Sequence, residues 1–494
     1  MTFEGERVML ERVATPHVKI GIFGIGLHAY WDQFPGLKER LEGYQRDVEQ
    51  RLRALGADVI SAGLVDTTPA ARQTGVRFTR EDVDLIICYV GTYATSSQVV
   101  PAVQGVGRPV LVLNLQPTPA LDYARTDTGE WLANCCACCV PELAGAFTRC
   151  SIPFNVVSGL LREEDGPAGT HAWREIADWV AATGAARALR GGRLGFLGHT
   201  YPGMLDLYSD FTMITGQTGL HVEILEIEDL QARVDAAATE DVRRHLDIVR
   251  ASFEISEDSP SDLLARAPHP GDLEWAARVS AGLEALQRDF ALDGLAYYYR
   301  GLGGDAAERI GAGLIVGNTL LTGRGVPCAG EGDAKTAIAM LIMDRLGAGG
   351  SFTEFAAMDF VDDFLLMGHD GPFHLAIAEG RPILRGLELF HGKRGGGVSV
   401  EARVKTGPVT ILTVTQTADG HLKLLTAEGE SLPGPTLRVG NTTSRIAFSL
   451  PPAEFINRWC RHGPTHHCAL GVGHHAARIA KVGRLLGLEV AHVG

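Results

Sequence analysis

The fold is set by an apolar run near the N-terminus, Val18-Lys-Ile-Gly-Ile-Phe-Gly-Ile25, which predicts a buried β-strand. The segment 37–55 carries apolar residues at steps of three or four, which predicts an amphipathic helix. Further apolar strands are predicted at 57–60, 83–88 and 109–115, each followed by a helix or a loop. Such alternation of apolar strands and helices indicates a parallel sheet that is covered on both faces.

The same pattern starts again after a helix predicted around 173–189. Strands are predicted at 193–198, 221–225 and 294–299, and helices at 202–216, 240–253 and 271–290. This second series of alternating strands and helices predicts a second α/β domain.

The last third of the chain has a different character. A helix predicted at 334–346 precedes a strand at 398–404, where apolar and polar residues alternate as in a half-buried antiparallel strand. Strands at 409–417 and 421–425 flank the short loop Ala418-Asp-Gly420, which predicts a hairpin. A final helix at 473–487 precedes a terminal strand, so this region is β-rich with helices packed on it.

The chain has 494 residues, which at about 150 residues per domain suggests three domains. We predict the α/β class, with two doubly wound α/β domains at 1–190 and 191–326. A β-rich C-terminal domain of antiparallel strands plus helices follows at 327–494 and carries the candidate metal ligands.

Composition excludes several classes of protein. Hydrophobic residues make up 45% of the chain and charged residues 21%, as in a folded globular protein. The net charge of −14, with no basic run, argues against binding to nucleic acid or to an anionic membrane surface. No apolar stretch approaches the ~18 residues of a membrane span. The N-terminus carries Glu4, Glu6 and Glu11, unlike a secretory signal, so we expect a cytoplasmic protein with reduced cysteines.

Two motifs suggest a metal or cofactor site, but their spacing does not support one. The run Cys135-Cys136-Ala137-Cys138-Cys139 resembles half of a metal site, but no second pair with matching spacing follows, which favours small buried residues beside a loop. Gly24-Ile-Gly-Leu-His28 follows a strand but lacks the GxGxxG spacing of dinucleotide sites. The chain also contains no P-loop, HExxH or GxSxG motif.

The candidate catalytic and metal-binding residues lie in the last third of the chain. Glu331 and Asp333 stand on a glycine-bounded turn before a helix, Glu354 follows a glycine-rich loop, and histidines occur at 369 and 466–467. Two carboxylates and two imidazoles form a suitable ligand set for a divalent ion such as Mn²⁺. Spacing alone leaves open that the acids cap the helix and that the histidines lie on the surface.

The ordered motifs Ala329-Gly-Glu331-Gly-Asp333-Ala-Lys335, Ser351-Phe-Thr-Glu354, Gly368-His369 and His466-His467 resemble the bacterial L-arabinose isomerase family, which belongs with the L-fucose isomerases. The resemblance extends more loosely through Gly26–Tyr30 and Asp206–Asp210. It implies one Mn²⁺ held by Glu331, Glu354, His369 and His467, with the two glutamates as the catalytic pair that shuttles protons. It also implies a trimer or hexamer and agrees with the predicted three-part fold.

The sequence departs from the family around the sugar. Where the family has His-Gly-Gly-Arg-Glu, this chain has Cys138-Cys-Val-Pro-Glu142, and Leu27-His-Ala-Tyr30 stands where the family has Gln-His-Leu-Tyr. His28 and Tyr30 follow a strand at the sheet edge that commonly binds ligands, so they are candidate substrate contacts or members of an ordinary strand–helix loop. The preferred sugar therefore stays open.

The resemblance implies an aldose–ketose isomerase that acts on a pentose or 6-deoxyhexose, with conversion of L-arabinose to L-ribulose as the default. The proton would be transferred between two carbons of the sugar, with an enediolate as the intermediate. Asp333 and Lys335 would either orient Glu331 or serve as charges at the start of the helix. The alternatives are a sugar-binding or regulatory protein without catalysis, and an epimerase or lyase with the same metal centre. The expected partners are a small sugar and further copies of the chain.

Overall fold

The structure is a computed structural model of the 494-residue chain, and it describes residues 10–14, 17–258, 264–300, 305–387 and 397–494. The chain divides into two compact units, one formed by Pro16–Arg187 and one by Met1–Thr15 with Ala188–Gly494. The finer boundaries at 190 and 326 remain a prediction.

The unit Pro16–Arg187 is built on a five-stranded parallel sheet in the order β2-β1-β3-β4-β5. Its strands are β1 (Lys19–Ile25), β2 (Asp58–Val65), β3 (Leu85–Val90), β4 (Val110–Gln116) and β5 (Phe154–Leu160). The helices between and after them are α1 (Tyr30–Gln33), α2 (Leu37–Ala54), α3 (Thr68–Glu81), α4 (Val100–Val103), α5 (Thr128–Ala133), α6 (Val140–Arg149) and α7 (Pro167–Arg190). All residues of β3 are buried, as expected for a strand covered on both faces.

A second parallel sheet lies in the other unit, in the order β11-β10-β6-β7. The strands of this region are β6 (Arg193–Gly198), β7 (His221–Leu225), β8 (Glu254–Ile255), β9 (Ala265–Arg266), β10 (Gly294–Tyr298) and β11 (Cys328–Ala329). The helices are α8 (Phe211–Thr218), α9 (Ile227–Asp235), α10 (Thr239–Ser252), α11 (Pro270–Phe290) and α12 (Ala306–Gly323).

The predicted helix at 202–216 is wrong over its first half. A 3₁₀ turn at Leu205–Leu207 precedes α8, which begins only after Asp210. The Asp210 carboxylate accepts a hydrogen bond from the Met213 amide at 2.9 Å and so caps the helix there.

The last part of the chain forms a barrel of antiparallel strands. The strands of this part of the chain are β12 (Gly349–Asp359), β13 (Phe364–Gly368), β14 (Ile383–Leu387), β15 (Gly397–Glu401), β16 (Gly407–Gln416), β17 (Leu422–Leu432), β18 (Ser444–Phe448), β19 (His467–Val472) and β20 (Glu489–His492), of which all but β14 and β15 belong to the barrel sheet. The order is β16-β19-β12-β13-β18-β17, and a further pairing of β16 with β17 closes the ring. β20 adds in parallel to β17. The predicted class, two α/β sheets followed by a β-rich region, is confirmed.

A small separate sheet contains β15, β14 and β8, with β9 pairing to β14. The sequence predicts β15 as half-buried, but all five of its residues are buried. Its polar members are satisfied internally: Ser399 donates to the Gly440 carbonyl, and Glu401 forms a bidentate pair with Arg385 at 2.9 and 3.0 Å. The alternation of polar and apolar residues therefore wrongly predicts that one face of β15 is exposed, because the polar side chains on that face are buried and hydrogen-bonded inside the protein.

The helix α13 (Ala334–Arg345) positions the candidate site. Every residue from 334 to 344 is buried, so the helix lies in the core of its unit and contacts β10, β12, β16 and β19. Its N-terminus follows directly after the turn that carries Glu331. The helices α14 (Pro452–Cys460) and α15 (Ala476–Leu486) complete the unit. None of the helices in the described ranges is both long and apolar enough to cross a lipid bilayer.

Candidate metal centre

Three candidate ligands come from three adjacent strands of the barrel. Glu354 on β12 lies opposite His467 on β19 and, on the other side, opposite Gly368 on β13. His369 follows Gly368 at the end of β13. Because residues that lie opposite one another in an antiparallel ladder share a face, this register brings Glu354 and His467 together. His369, just beyond the end of β13, completes the group, since its ligand atom lies within 4.8 Å of theirs.

The fourth candidate, Glu331, stands on the turn between β11 and α13. Its backbone has φ = +60°, a left-handed conformation that costs about 1–3 kcal/mol in a non-glycine residue and clusters at functional sites. The neighbouring Gly332 also has a positive φ, and a Cβ there would lie 2.6 Å from the His199 carbonyl oxygen. The turn is fixed by hydrogen bonds, since the Tyr201 amide donates to the Glu331 carbonyl at 2.9 Å.

The four predicted ligands converge. The Nε2 atom of His467 lies 3.5 Å from Glu331 Oε2, and His369 Nε2 lies 3.9 Å from Glu331 Oε1. Ligand atoms of Glu354, His369 and His467 lie within 4.8 Å of one another, as do those of Glu331, His466 and His467. Within the described residues these are the two acidic and histidine clusters of this kind, and they share His467.

The side chain of His467 fits a metal ligand. It is fully buried, and its Nδ1 lies 3.0 Å from Asp333 Oδ2, so Nδ1–H donates to that carboxylate. The Nε2 lone pair then faces the cluster, where Nε2 has no hydrogen-bond partner among the described residues. A carboxylate that fixes the opposite ring nitrogen is the usual arrangement for a metal-bound histidine. Two ligands of one ion at about 2.1 Å lie up to about 4.2 Å apart, so the 3.5–3.9 Å separations suit a shared ion better than direct hydrogen bonds.

Asp333 has one of the two roles that the sequence leaves open, that of a helix-start charge, and a second role that the sequence does not predict. It caps α13 by accepting hydrogen bonds from the Thr336 amide at 2.9 Å and from the Thr336 hydroxyl at 2.7 Å. It also orients His467 rather than Glu331. Burial raises the pKa of Asp333, but the hydrogen bond and charge of His467 outweigh it, and the net pKa is lowered. Lys335 turns away and donates to the Tyr208 carbonyl and the Ser209 hydroxyl.

Electrostatics also favour a cation at the centre. Burial, together with the nearby His369 and His466, lowers the pKa of His467 more than Asp333 raises it, which favours the neutral imidazole that a metal ligand requires. Burial raises the pKa of Glu331, but His466, His467 and His369 together bring it below its ordinary value. The Glu331 Oε2 atom is buried and has no hydrogen-bond partner within the described part of the chain. Glu331 and His467 are thus in the forms that bind a divalent ion. For His369, burial lowers the pKa but Asp370 and the two glutamates raise it by more, so a bound ion must displace a proton from this ring.

Close packing fixes His369. A Cβ at Gly368 would lie 1.6 Å from the Thr442 carbonyl oxygen, so only glycine fits before this histidine. The His369 amide donates to the Thr442 hydroxyl at 3.0 Å, and His369 Nδ1 lies 2.8 Å from Asp370 Oδ1. The ring of Phe352 packs against the imidazoles of His369 and His467 at centroid distances of 4.7 and 4.3 Å. This apolar wall orients both rings.

His466 and Asp206 are site residues that the sequence analysis did not select. Asp206 accepts two hydrogen bonds from His466, from the backbone amide at 3.0 Å and from Nδ1 at 2.7 Å. The other ring nitrogen lies 3.7 Å from Glu331 Oε2. Burial lowers the pKa of His466, but Glu331 and Asp206 raise it to about 9. Both residues lie within motifs that the sequence analysis noted, at 206–210 and 466–467. No local sequence pattern predicts that these two residues, which are 260 positions apart, contact each other.

The candidate substrate contacts His28 and Tyr30 lie in the unit Pro16–Arg187. The His28 side chain is exposed, with Nδ1 3.4 Å from Asp66 Oδ2. Tyr30 begins α1 and its ring packs edge-on against Phe34. Both residues lie at the carboxyl end of β1, and their contact with a sugar stays a prediction.

The cysteine run takes no part in either cluster of candidate ligands. Cys135, Cys136 and Cys139 are buried and Cys138 is exposed. For three of the four, this agrees with the interpretation as small buried residues.

Comparisons with known proteins agree with the motifs. A family model described as the C-terminal domain of L-fucose isomerase matches residues 384–493. The L-arabinose isomerase of Nocardioides sp. is 25% identical over 447 residues, which cover 88% of this chain and 85% of that protein. The L-arabinose isomerase of Acidothermus cellulolyticus is 24% identical over 466 residues, covering 91% and 89%. The sulfoquinovose isomerase of Alkalicoccus urumqiensis is 27% identical over 191 residues, covering 38% and 42%. The matches confirm the resemblance to the L-arabinose isomerase family.

Proposed function

We propose that this chain, which resembles the L-arabinose isomerases over most of its length, is a metal-dependent aldose–ketose isomerase. Its ligands are Glu331, Glu354, His369 and His467, and its metal is Mn²⁺. Its substrate is a pentose or 6-deoxyhexose, with L-arabinose to L-ribulose as the default reaction. The relatives that bear the name isomerase support the reaction class, and the geometry of the centre supports the metal.

The observation that carries the proposal is the buried Nε2 atom of His467. It faces Glu331 without a hydrogen-bond partner in the described residues, while Asp333 fixes the opposite side of the ring. A sugar-binding protein has no need for such an arrangement, because a buried nitrogen without a partner costs about 1–3 kcal/mol. A bound cation removes that cost.

The chain's own residues supply the acid–base chemistry. Isomerisation requires removal of a proton from one carbon of the sugar and its return to the neighbouring carbon, with a matching proton exchange between the two oxygens. Glu331 and Glu354 are the pair that does this, one at carbon and one at oxygen. A divalent ion held by Glu331, Glu354, His369 and His467 would supply Lewis-acid polarisation of the sugar carbonyl and would stabilise developing negative charge on its oxygens. His466, held by Asp206, lies beside Glu331 and offers a hydrogen bond to a substrate hydroxyl.

Product analysis in D₂O tests the reaction. The purified enzyme is incubated with Mn²⁺ and a panel of aldopentoses, 6-deoxyhexoses and sulfoquinovose, and the products are identified by NMR. The proposal expects a ketose from one sugar, with activity lost on treatment with EDTA and restored by Mn²⁺. Glu331→Gln and Glu354→Gln are each expected to remove nearly all turnover, whereas Glu454→Gln on the exposed face of α14 is a matched control that keeps it.

Three results would contradict the proposal. Sugar binding that is insensitive to EDTA, without turnover, would favour a binding or regulatory protein. An epimer or a cleaved product would favour an epimerase or a lyase. Full activity of either glutamine variant would exclude the proposed acid–base pair.

The proposal also includes assembly into a homotrimer or homohexamer and a cytoplasmic location. Light scattering of the purified protein measures the first, and a single species at the mass of one chain would contradict it.

A further inference from the structure

A pair of thiols in the unit Pro16–Arg187 has no role in the proposed reaction. Cys135 Sγ and Cys138 Sγ lie 2.8 Å apart in the loop that joins α5 to α6. Cys138 is exposed, whereas Cys135 is only 8% exposed. The two thiols are therefore in contact, and one of them is open to reagents from solvent.

The other two cysteines of the run point elsewhere. Cys136 Sγ lies 3.7 Å from the carbonyl oxygens of Gly91 and Leu115, and Cys139 Sγ lies 3.9 Å from that of Thr92. Burial raises the pKa of both thiols to about 12, as it does that of Cys135, so the direction of the sulfurs and not their pKa distinguishes them. Their sulfurs are thus directed at the carboxyl ends of β3 and β4, which separates them from the Cys135–Cys138 pair.

We propose that Cys135 and Cys138 form a reversible, intramolecular disulfide when the protein meets a hydroperoxide. To form a disulfide, the two sulfurs must approach from 2.8 Å to about 2.05 Å, which is a short movement. A spacing of two residues between the cysteines is also common in reversible dithiol pairs.

The oxidation proceeds in two balanced steps. The exposed Cys138 sulfur attacks the terminal oxygen of the hydroperoxide, the O–O bond breaks, and a sulfenic acid forms with release of an alcohol, or of water from hydrogen peroxide. The Cys135 sulfur then attacks the Cys138 sulfur, the S–S bond forms, and the hydroxyl leaves with the Cys135 proton as water. Two thiols lose two electrons in total, and the peroxide gains them.

The pair lies close to a candidate sugar contact. Burial is the largest cause that raises the pKa of Tyr30, and the charges of Cys135 and Cys138 add to it. Disulfide formation removes both ionisable thiols and so changes the surroundings of this phenol. The loop that carries the pair follows β4, and the contacts of Cys136 with the carbonyls of Gly91 and Leu115 place it at the carboxyl edge of the parallel sheet.

Differential alkylation of the folded, full-length protein tests the proposal. The protein is treated with hydrogen peroxide and denatured, and its free thiols are blocked with iodoacetamide. The disulfides are then reduced, and the released thiols are labelled with N-ethylmaleimide. We expect the count of free thiols to fall from nine to seven per chain, with N-ethylmaleimide on Cys135 and Cys138 only. Trypsin releases all four cysteines of the run in one peptide, 126–149, so tandem mass spectrometry distinguishes them. Dithiothreitol should restore nine thiols.

Two serine variants provide the controls. Cys138→Ser should lose no thiol pair, and because Cys138 is exposed this variant keeps the fold. Cys460→Ser, at another exposed cysteine, should still show the labelled pair. Four results would each overturn the proposal. They are labels on Cys136 or Cys139, a labelled thiol pair that persists in Cys138→Ser, a cross-linked dimer on a non-reducing gel, and oxidation to sulfinic or sulfonic acid with no disulfide formed.

Discussion

Glu354 on β12 lies directly opposite His467 on β19, and this single pair in the ladder joins a carboxylate and an imidazole that are 113 positions apart in the sequence. The same residue of β12 lies opposite Gly368 on β13, next to His369. A slip of one residue in either pairing would turn the side chains of one strand to the opposite face. The register of β12 against β19 therefore decides whether these two candidate ligands meet.

The contact of β13 with the segment at Thr442 predicts a severe effect of Gly368→Ala. The new Cβ would lie 1.6 Å from a backbone carbonyl oxygen, so the strand that carries His369 must move. We expect a loss of at least about 3 kcal/mol of stability and loss of Mn²⁺ binding, measured by thermal unfolding and metal analysis. Gly216→Ala within α8 is the matched control, since nothing lies within 4 Å of its Cβ, and it should stabilise the protein by up to about 1 kcal/mol. Equal behaviour of the two variants would contradict this prediction.

The hydrogen bond between Asp333 and His467 predicts a metal phenotype for Asp333→Asn. The amide can still cap α13, but its NH₂ group competes with the Nδ1–H donor and disturbs the tautomer that presents Nε2. We expect Mn²⁺ affinity to fall by about 10–100-fold with little loss of stability, measured by isothermal titration calorimetry and thermal unfolding. Asp127→Asn, which changes a cap of α5, is the control and should leave Mn²⁺ affinity unchanged. An unchanged affinity in Asp333→Asn would show that Asp333 acts only as a helix cap.

Asp206 holds His466 by two hydrogen bonds, which predicts a kinetic effect without loss of metal. In Asp206→Asn the charge-assisted contact to Nδ1 is lost, and the ring is no longer held beside Glu331. We expect kcat to fall by about tenfold, the equivalent of one hydrogen bond of roughly 1.4 kcal/mol, while the metal content stays at that of the wild type. A fall in metal content with unchanged kcat per bound ion would assign Asp206 a structural role instead.

The buried Asp344 predicts a pH dependence of stability. Burial raises the pKa of this carboxyl, but His374, Arg12 and Arg345 outweigh it and lower the pKa from 3.8 to about 2. Because the folded-state pKa is below the unfolded one, the stabilisation is present above about pH 4 and is lost as the pH falls towards 2. It amounts to about 2–3 kcal/mol at 1.36 kcal/mol per pKa unit.

Asp344→Asn should therefore unfold at a lower temperature than the wild type at pH 7, and the gap between the two should narrow at pH 3. The exposed Asp247→Asn is the control, with no change expected at either pH. A gap of constant size would show that Asp344 contributes through packing and not through its charge.

Much of the fold was predictable from the sequence because its strands are buried on both faces. The run Val18–Ile25 and the strand at 193–198 need no information from distant residues, since their composition alone identifies them. The predicted start of the helix at 202 was wrong because Asp210 caps the helix and it begins only after this residue. The strand at 397–401 looked half-exposed because its polar residues find internal partners that only the folded chain brings near.

The sequence predicts which residues form the candidate site, and that assignment stays a prediction; it does not predict how their side chains are arranged. The motifs around Glu331, Glu354, His369 and His467 identify the candidate ligands, and the structure brings their side chains together. No local pattern indicates that Asp206 bonds His466, or that Asp333 orients His467 rather than Glu331, because these contacts depend on tertiary packing. The Cys135–Cys138 pair was likewise hidden within a run of four similar residues.

Manganese binding by the purified chain tests the central claim most directly. Equilibrium dialysis of the metal-free wild type, His467→Ala and Glu354→Ala against Mn²⁺, read by electron paramagnetic resonance, counts ions per chain. We predict one ion per wild-type chain and an affinity at least about 100-fold weaker in each variant, with the circular dichroism spectrum preserved. A wild-type chain that binds no ion, or variants that bind it as tightly as the wild type, would contradict the account.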